Sequence, residues 1–146
     1  MAAKPPFLNI RLRAIAHATE SDERVEKAVG LASGQEVVSS SGAVGHFGNP
    51  MSIFEVELSR NRDIRDFLKK LDQAGTLAQL KEEAGDRLDQ DCVLHIRLDK
   101  QKAYKGELEL AETRDVIDVC MKVGAYPARY ELALENILAW FDGIGN

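Results

Sequence analysis

Three groups of residues carry cations or rings at spacings suited to a polyanion. Arg62, Arg65 and Lys69 follow at i, i+3 and i+7, which places three positive side chains on one face of a helix. The segment Asp99-Lys100-Gln101-Lys102-Ala103-Tyr104-Lys105-Gly106 interleaves lysines with an aromatic ring. There Lys100, Lys102 and Lys105 can meet phosphates while Tyr104 stacks on a base, as in single-strand binders. Arg11, Arg13 and Arg97 occupy the polar positions of alternating strands, and Asn9, His95 and Lys122 should share that face. Each group also has a plainer account. A helix face, a lysine-rich turn and a polar sheet face are all solvated without a ligand, and Glu55, Glu57 and Asp118 dilute the potential of the last.

A fourth candidate is a loop. Gly45-His46-Phe47-Gly48-Asn49-Pro50 packs two glycines, an asparagine and a proline into six residues. Such a loop folds tightly, with at least one glycine expected at positive φ. His46 and Asn49 can supply hydrogen-bond donors there and Phe47 a stacking surface. The same loop can equally serve to set the register of the strand that follows.

Catalytic chemistry is harder to assemble. The three histidines, His17, His46 and His95, form no H-x-x-x-H pair and no cluster with cysteine, which argues against zinc. Asp86, Asp89 and Asp91 lie close together but lack the glycine and terminal glutamate of a calcium loop, and they read as a helix end and turn. The serines at 39–41 lack a nucleophile elbow, and no phosphate-binding glycine pattern occurs. No general base has an evident partner, so no enzyme activity, metal or cofactor is expected. A small enzyme centred on His46 is the catalytic alternative. Cys92 and Cys120 belong to no C-x-x-C motif and read as small buried strand residues.

The 146 residues suit one domain spanning 1–146. With 45% apolar and 29% charged residues, the composition is that of a folded chain rather than a disordered one. No apolar run approaches the ~18 residues of a membrane span, and the start lacks a signal-like apolar core. A cytoplasmic protein without membrane contact is expected. The net charge of −5 opposes indiscriminate binding to a polyanion, but its distribution is uneven. Residues 60–70 hold five basic and two acidic groups, whereas acids collect in 79–91 and 107–118.

The elements that must position these residues follow from periodicity. Strands are expected at Phe7–His17, around Gln35–Ser41, near Phe54–Leu58, at Cys92–Leu98, briefly at Leu108 and Leu110, and at Val116–Tyr126. Helices are expected from Thr19 or Ser21 to Ser33, from Ser59 or Asn61 to a break at Gly75, over Thr76–Arg87, and from Pro127 onward. The strands lie too close in sequence for parallel crossovers. The expected fold is therefore α+β: a two-layer sandwich, a mostly antiparallel sheet with helices on one face.

Taken in order, these segments resemble an archaeal family of small RNA-binding-domain proteins described as predicted exosome subunits. The carriers are Asn9-Ile10-Arg11 through His17-Ala18-Thr19-Glu20, the Gly45–Pro50 loop, and Arg62-Asp63-Ile64-Arg65-Asp66-Phe67-Leu68. Leu98-Asp99-Lys100-Gln101, Ala103-Tyr104, Gly106-Glu107-Leu108 and Ala125-Tyr126-Pro127-Ala128 complete them. The resemblance spans nearly the whole chain. It implies a fold like that of the large-subunit ribosomal protein that binds 5S rRNA, and RNA as partner in an archaeal cytoplasm. It supplies no catalytic residues. The acidic stretch at 107–118 leaves room for a protein partner, so an adaptor within an RNA-processing assembly is the alternative to direct RNA contact.

Overall fold

A computed structural model describes residues 4–17, 19–44, 48–111 and 115–144. Along the chain these form β1 (Phe7–Ala16), α1 (Asp22–Ser33), β2 (Ser39–Val44), β3 (Pro50–Leu58), α2 (Asn61–Gln73) and α3 (Thr76–Arg87). Then come β4 (Val93–Asp99), α4 (Lys100–Tyr104), β5 (Val116–Val123) and α5 (Tyr130–Ile144). The strands make one sheet in the order β2-β3-β1-β5-β4, and every neighbouring pair is antiparallel.

Alternation along the strands decides the layering. Ile10, Leu12 and Ala14 of β1, Phe54, Val56 and Leu58 of β3, Leu94, Ile96 and Leu98 of β4, and Ile117, Val119 and Met121 of β5 are all buried. Against them lie Val25, Ala28, Val29 and Ala32 of α1, Ile64, Phe67, Leu68 and Leu71 of α2, Leu77 and Leu80 of α3, and Ala133, Ile137 and Trp140 of α5. The intervening strand residues Arg11, Arg13, Glu57, His95, Arg97 and Asp118 stay exposed. The helices thus cover one face and leave the other open. Burial of each large side chain stabilises the fold by roughly 1.5–3 kcal/mol.

Local signals set several boundaries. The Ser21 hydroxyl accepts a hydrogen bond from the Arg24 amide, and Gly34, at φ 76°, ends α1. Gly75, at φ 79°, separates α2 from α3, and Gly48 sits at φ 80° before β3.

Other boundaries depart from the sequence expectation. Leu108 and Leu110 do not form a strand. Leu110 makes one isolated bridge to Leu98, while the Asp99 amide donates to Glu109 and the Ala111 amide to Arg97. The segment runs beside β4 too briefly for a ladder, yet it covers that outer edge. β2 starts at Ser39 rather than Gln35, because Gln35–Val38 are spent leaving the helix cap. β5 stops at Val123 and α5 starts at Tyr130, with the Tyr126-Pro127 turn between them. Cys120 lies on the open face of β5, half-buried, rather than in the core. Cys92 is buried, but it precedes β4 in a left-handed conformation with φ 64°. Among the described residues, no helix is long and apolar enough to cross a membrane.

Candidate nucleic-acid interface

The basic stripe of α2 is built as its spacing implies. Ile64, Phe67, Leu68 and Leu71 anchor one side of the helix in the core, and Arg62, Arg65 and Lys69 stand exposed on the other. Among the described residues, none of these three cations has a carboxylate within ion-pair distance. Their neighbour Lys70 is employed differently. Its Nζ donates to the Leu31 carbonyl at 3.0 Å and so caps the end of α1.

The lysine–tyrosine segment divides. Lys100 is buried, and its ammonium reaches the Ile15 carbonyl at 2.8 Å, Glu20 Oε2 at 2.9 Å and Asp115 Oδ1 at 2.7 Å. An ammonium has three protons, so these acceptors leave none for a phosphate. The expectation that Lys100 contacts RNA is corrected: it ties β1, α4 and the start of β5 together. Burial works to raise the Asp115 carboxyl, but hydrogen bonds from Lys100 and Gln101 and the Lys100 charge outweigh it and hold it below the ordinary carboxylate range.

Lys102 and Lys105 are exposed, Lys102 with only long contacts to Glu107 at 3.8 Å and Glu109 at 3.9 Å. Tyr104 leans on α1, with the Arg24 guanidinium 4.5 Å from its ring centre and the Lys27 ammonium at 5.2 Å. Beside the ring is a hollow of about 360 Å³ lined by Thr19, Glu20, Ser21, Arg24, Gln101 and Tyr104, with Lys100 and Val25 also contributing. It offers hydroxyl and amide groups next to a cation-backed aromatic face. Arg24 and Lys27 did not stand out in the sequence. Their i, i+3 spacing is visible there, but Glu23 and Glu26 mask it, and their nearness to Tyr104 is tertiary.

The open sheet face gathers a further group of arginines. Arg11, Arg13, Arg87 and Arg97 line a groove of about 690 Å³ with Glu55, Asp86, Asp89, His95, Asp118 and Cys120. Cross-strand register sets Glu55, Arg13, Asp118 and Arg97 side by side on four strands, alternating in sign. Arg11 is 3.8 Å from Glu55 and Arg97 is 3.6 Å from Asp118.

His95 Nε2 lies 2.6 Å from Asp89 Oδ2, and its Nδ1 lies 3.6 Å from Cys120 Sγ. The premise that no general base has a partner is thereby corrected. Burial works to raise Asp89, but the His95 hydrogen bond and the Val93 and Asp91 amides hold it below the ordinary range. Burial and the nearby Asp118 push the Cys120 thiol up. The Gly45–Pro50 loop is only partly visible: His46 lies outside the described residues, and Asn49 is exposed where β3 begins.

Residues 9–123 match a family model described as RNA binding. The RNA-binding protein PAB1135 of Pyrococcus abyssi is 36% identical, over 98% of this chain and 99% of its own length. Mth689, a DUF54 protein from Methanothermobacter thermautotrophicus, superposes with a TM-score of 0.80 at 33% identity, covering 92% of this chain and 98% of that one. AF2318 from Archaeglobus fulgidus, also assigned to DUF54, gives 0.81 at 36% identity, covering 92% and 99%.

Proposed function

The chain belongs to the RNA-binding family, and from that premise we propose that it is a non-catalytic RNA-binding protein that grips single-stranded RNA on its helical layer. The observation that carries this reading is the α2 stripe. Three exposed cations share a helix face and, among the described residues, none has a carboxylate within ion-pair distance, so a phosphate backbone can pair with them. The hollow beside Tyr104 adds a place for a base, with Arg24 in its lining and the Lys27 ammonium near the same ring. The resemblance to the 5S-rRNA-binding ribosomal protein and the archaeal sources of the relatives support a role in archaeal RNA processing. We place the chain beside an exosome-type complex in the cytoplasm.

The test is a salt titration of single-stranded RNA binding. Replacing Arg62, Arg65 and Lys69 by Gln should shrink the slope of log K against log salt by roughly 2, at about 0.7 per phosphate contact. Absence of wild-type binding at low salt would overturn the reading.

A second reading, as a protein–protein adaptor, is favoured by one feature. Among the described residues β2 pairs only with β3, which leaves an open sheet edge, and Val37 and Val44 beside and within it are 86% and 74% exposed. Such an edge accepts a partner strand. Association through it would be insensitive to salt, which separates the two readings.

A further inference from the structure

We propose that Cys120 is a base-assisted nucleophilic thiol, relayed through His95 to Asp89, and that the open-face groove is a site of reversible modification by small disulfides. The proposal stands apart from the RNA reading, because none of the three residues lies on the helical layer. It begins from geometry. The thiol, imidazole and carboxylate occur in sequence across β5, β4 and the turn before β4, with contacts of 3.6 Å and 2.6 Å. Only one tautomer satisfies both. Asp89 accepts, so Nε2 carries the proton, and Nδ1 is left to accept from the thiol. That is the arrangement of nucleophile, base and orienting acid.

The aspartate is held rigidly for this role. Asp89 Oδ1 accepts from the amides of Asp91 at 2.8 Å and Val93 at 3.0 Å, which leaves Oδ2 facing His95. The groove of about 690 Å³ gives a small molecule access, and the half-exposed His95 and half-buried Cys120 lie on its floor.

The surroundings select the chemistry. Cys120 sits in mid-strand, paired with Arg11 on one side and His95 on the other, so its backbone is committed to the sheet. With those strand amides spent in the sheet, the described residues offer no oxyanion site, which removes acyl transfer. Thiol–disulfide exchange requires none. Sγ attacks one sulfur of the small disulfide, and the S–S bond breaks with its electron pair leaving on the other sulfur. The thiol proton passes to His95 Nδ1, and the imidazolium returns it to the departing thiolate. Cys120 is oxidised to a mixed disulfide, and the small disulfide is reduced to one free thiol.

Arg11 and Arg13 favour a thiolate at this position, whereas burial, Asp118 and Asp89 oppose it. The resting group is therefore the protonated thiol. Its reactivity must come through the base, and a thiol of high pKa is the stronger nucleophile once the proton is gone.

The experiment uses the folded full chain with dithiobis(nitrobenzoate), a disulfide bearing two carboxylates, and with the neutral dithiodipyridine. Released thiol is followed by absorbance, and the modified cysteine is located by peptide mass mapping. Cys92, only 1% exposed, is the internal control. Both reagents should modify Cys120 and leave Cys92 free. Near neutral pH the wild-type rate should lie above the line set by thiol ionisation alone, and His95→Gln should fall back to that line, a loss of roughly tenfold or more. Asp89→Asn, which keeps the side-chain shape, should give a smaller loss. A wild-type rate that follows simple thiol ionisation, a Cys120 that does not react while the chain is folded, or a His95→Gln variant reacting at the wild-type rate would each overturn the proposal.

Discussion

On the open face of the sheet, Arg11 lies 3.8 Å from Glu55 and Arg97 3.6 Å from Asp118. On α2, Arg62, Arg65 and Lys69 meet no carboxylate at that distance among the described residues. The difference follows from how each element spaces its side chains. A sheet sets residues of four strands in one row, and here the row alternates in sign: Glu55, Arg13, Asp118, Arg97. Such exposed pairs stabilise little, a median of about 0–1 kcal/mol, but they cancel one another's field. A helix repeats every 3.6 residues, so i, i+3 and i+7 cations stand together and repel by a few tenths of a kcal/mol. The fold tolerates that repulsion on α2 and neutralises it on the sheet. On the proposed reading, that contrast is what draws a polyanion to the helix.

The largest effect should come from the cation that lies at the far extreme of this contrast. Lys100 is buried against two carboxylates and a carbonyl. Lys100→Met should cost about 2–4 kcal/mol by urea unfolding, toward the low end for breaking a buried pair because Glu20 and Asp115 both reach solvent. RNA affinity and its salt slope should stay close to wild type when measured on folded protein. A large loss of slope in this variant would place Lys100 in the interface and break the contrast.

Two triple variants sharpen it further. Arg62→Gln, Arg65→Gln and Lys69→Gln together should reduce the salt slope by roughly 2, with stability changed by no more than about 0.5 kcal/mol. Arg11→Gln, Arg13→Gln and Arg97→Gln together should change the slope by less than about 1, since Arg11 and Arg97 are paired and Arg13 stands in register between Glu55 and Asp118. Equal reductions would mean that RNA crosses both faces. Tyr104→Ala probes the uncharged part of the grip. It should weaken binding by ~1–3 kcal/mol through lost stacking, with the slope nearly unchanged.

Much of the fold was legible because the strands alternate and the helices carry clear stops. Ile10, Leu12 and Ala14 against Arg11 and Arg13 give the layering outright, and Gly34 and Gly75 mark helix ends. The α2 stripe was legible for the same reason, since one period fixes it. What a sequence does not carry is register between distant strands. Arg13 meets Glu55 and Asp118, and His95 meets Cys120, only through pairings across dozens of residues. Lys100 was misread for that reason as well. Its neighbours Lys102 and Lys105 suggest a basic turn, but Glu20 and Asp115 arrive from elsewhere in the chain. Arg24 and Lys27 were hidden by the neighbouring acids Glu23 and Glu26 until the packing of α1 on α4 placed them over Tyr104.

The smallest effect distinguishes the two paired carboxylates that this register creates. Asp115 at Lys100 and Asp89 at His95 both have folded values below the ordinary carboxylate range. A carboxyl depressed in the folded state binds its proton first in the unfolded chain. Its contribution to stability is complete above the unfolded value, near 3.9 for aspartate, and is lost as pH falls through the lower folded value. Unfolding free energy should therefore be level from neutrality to about pH 5 and decline below it. The two sites should differ in how much of that decline one substitution removes. Asp115 owes its depression to Lys100 and Gln101, so Lys100→Met takes away the charged partner and should flatten the acid limb. Asp89 keeps the Val93 and Asp91 amides when His95 is replaced, so His95→Gln should flatten it less. Urea unfolding from pH 2.5 to 7 on the three proteins reads this directly, with each curve compared by its fall and not by its height. If Lys100→Met keeps the wild-type fall, the Lys100–Asp115 pair is not what acid breaks, and the decline must come from the surface carboxylates.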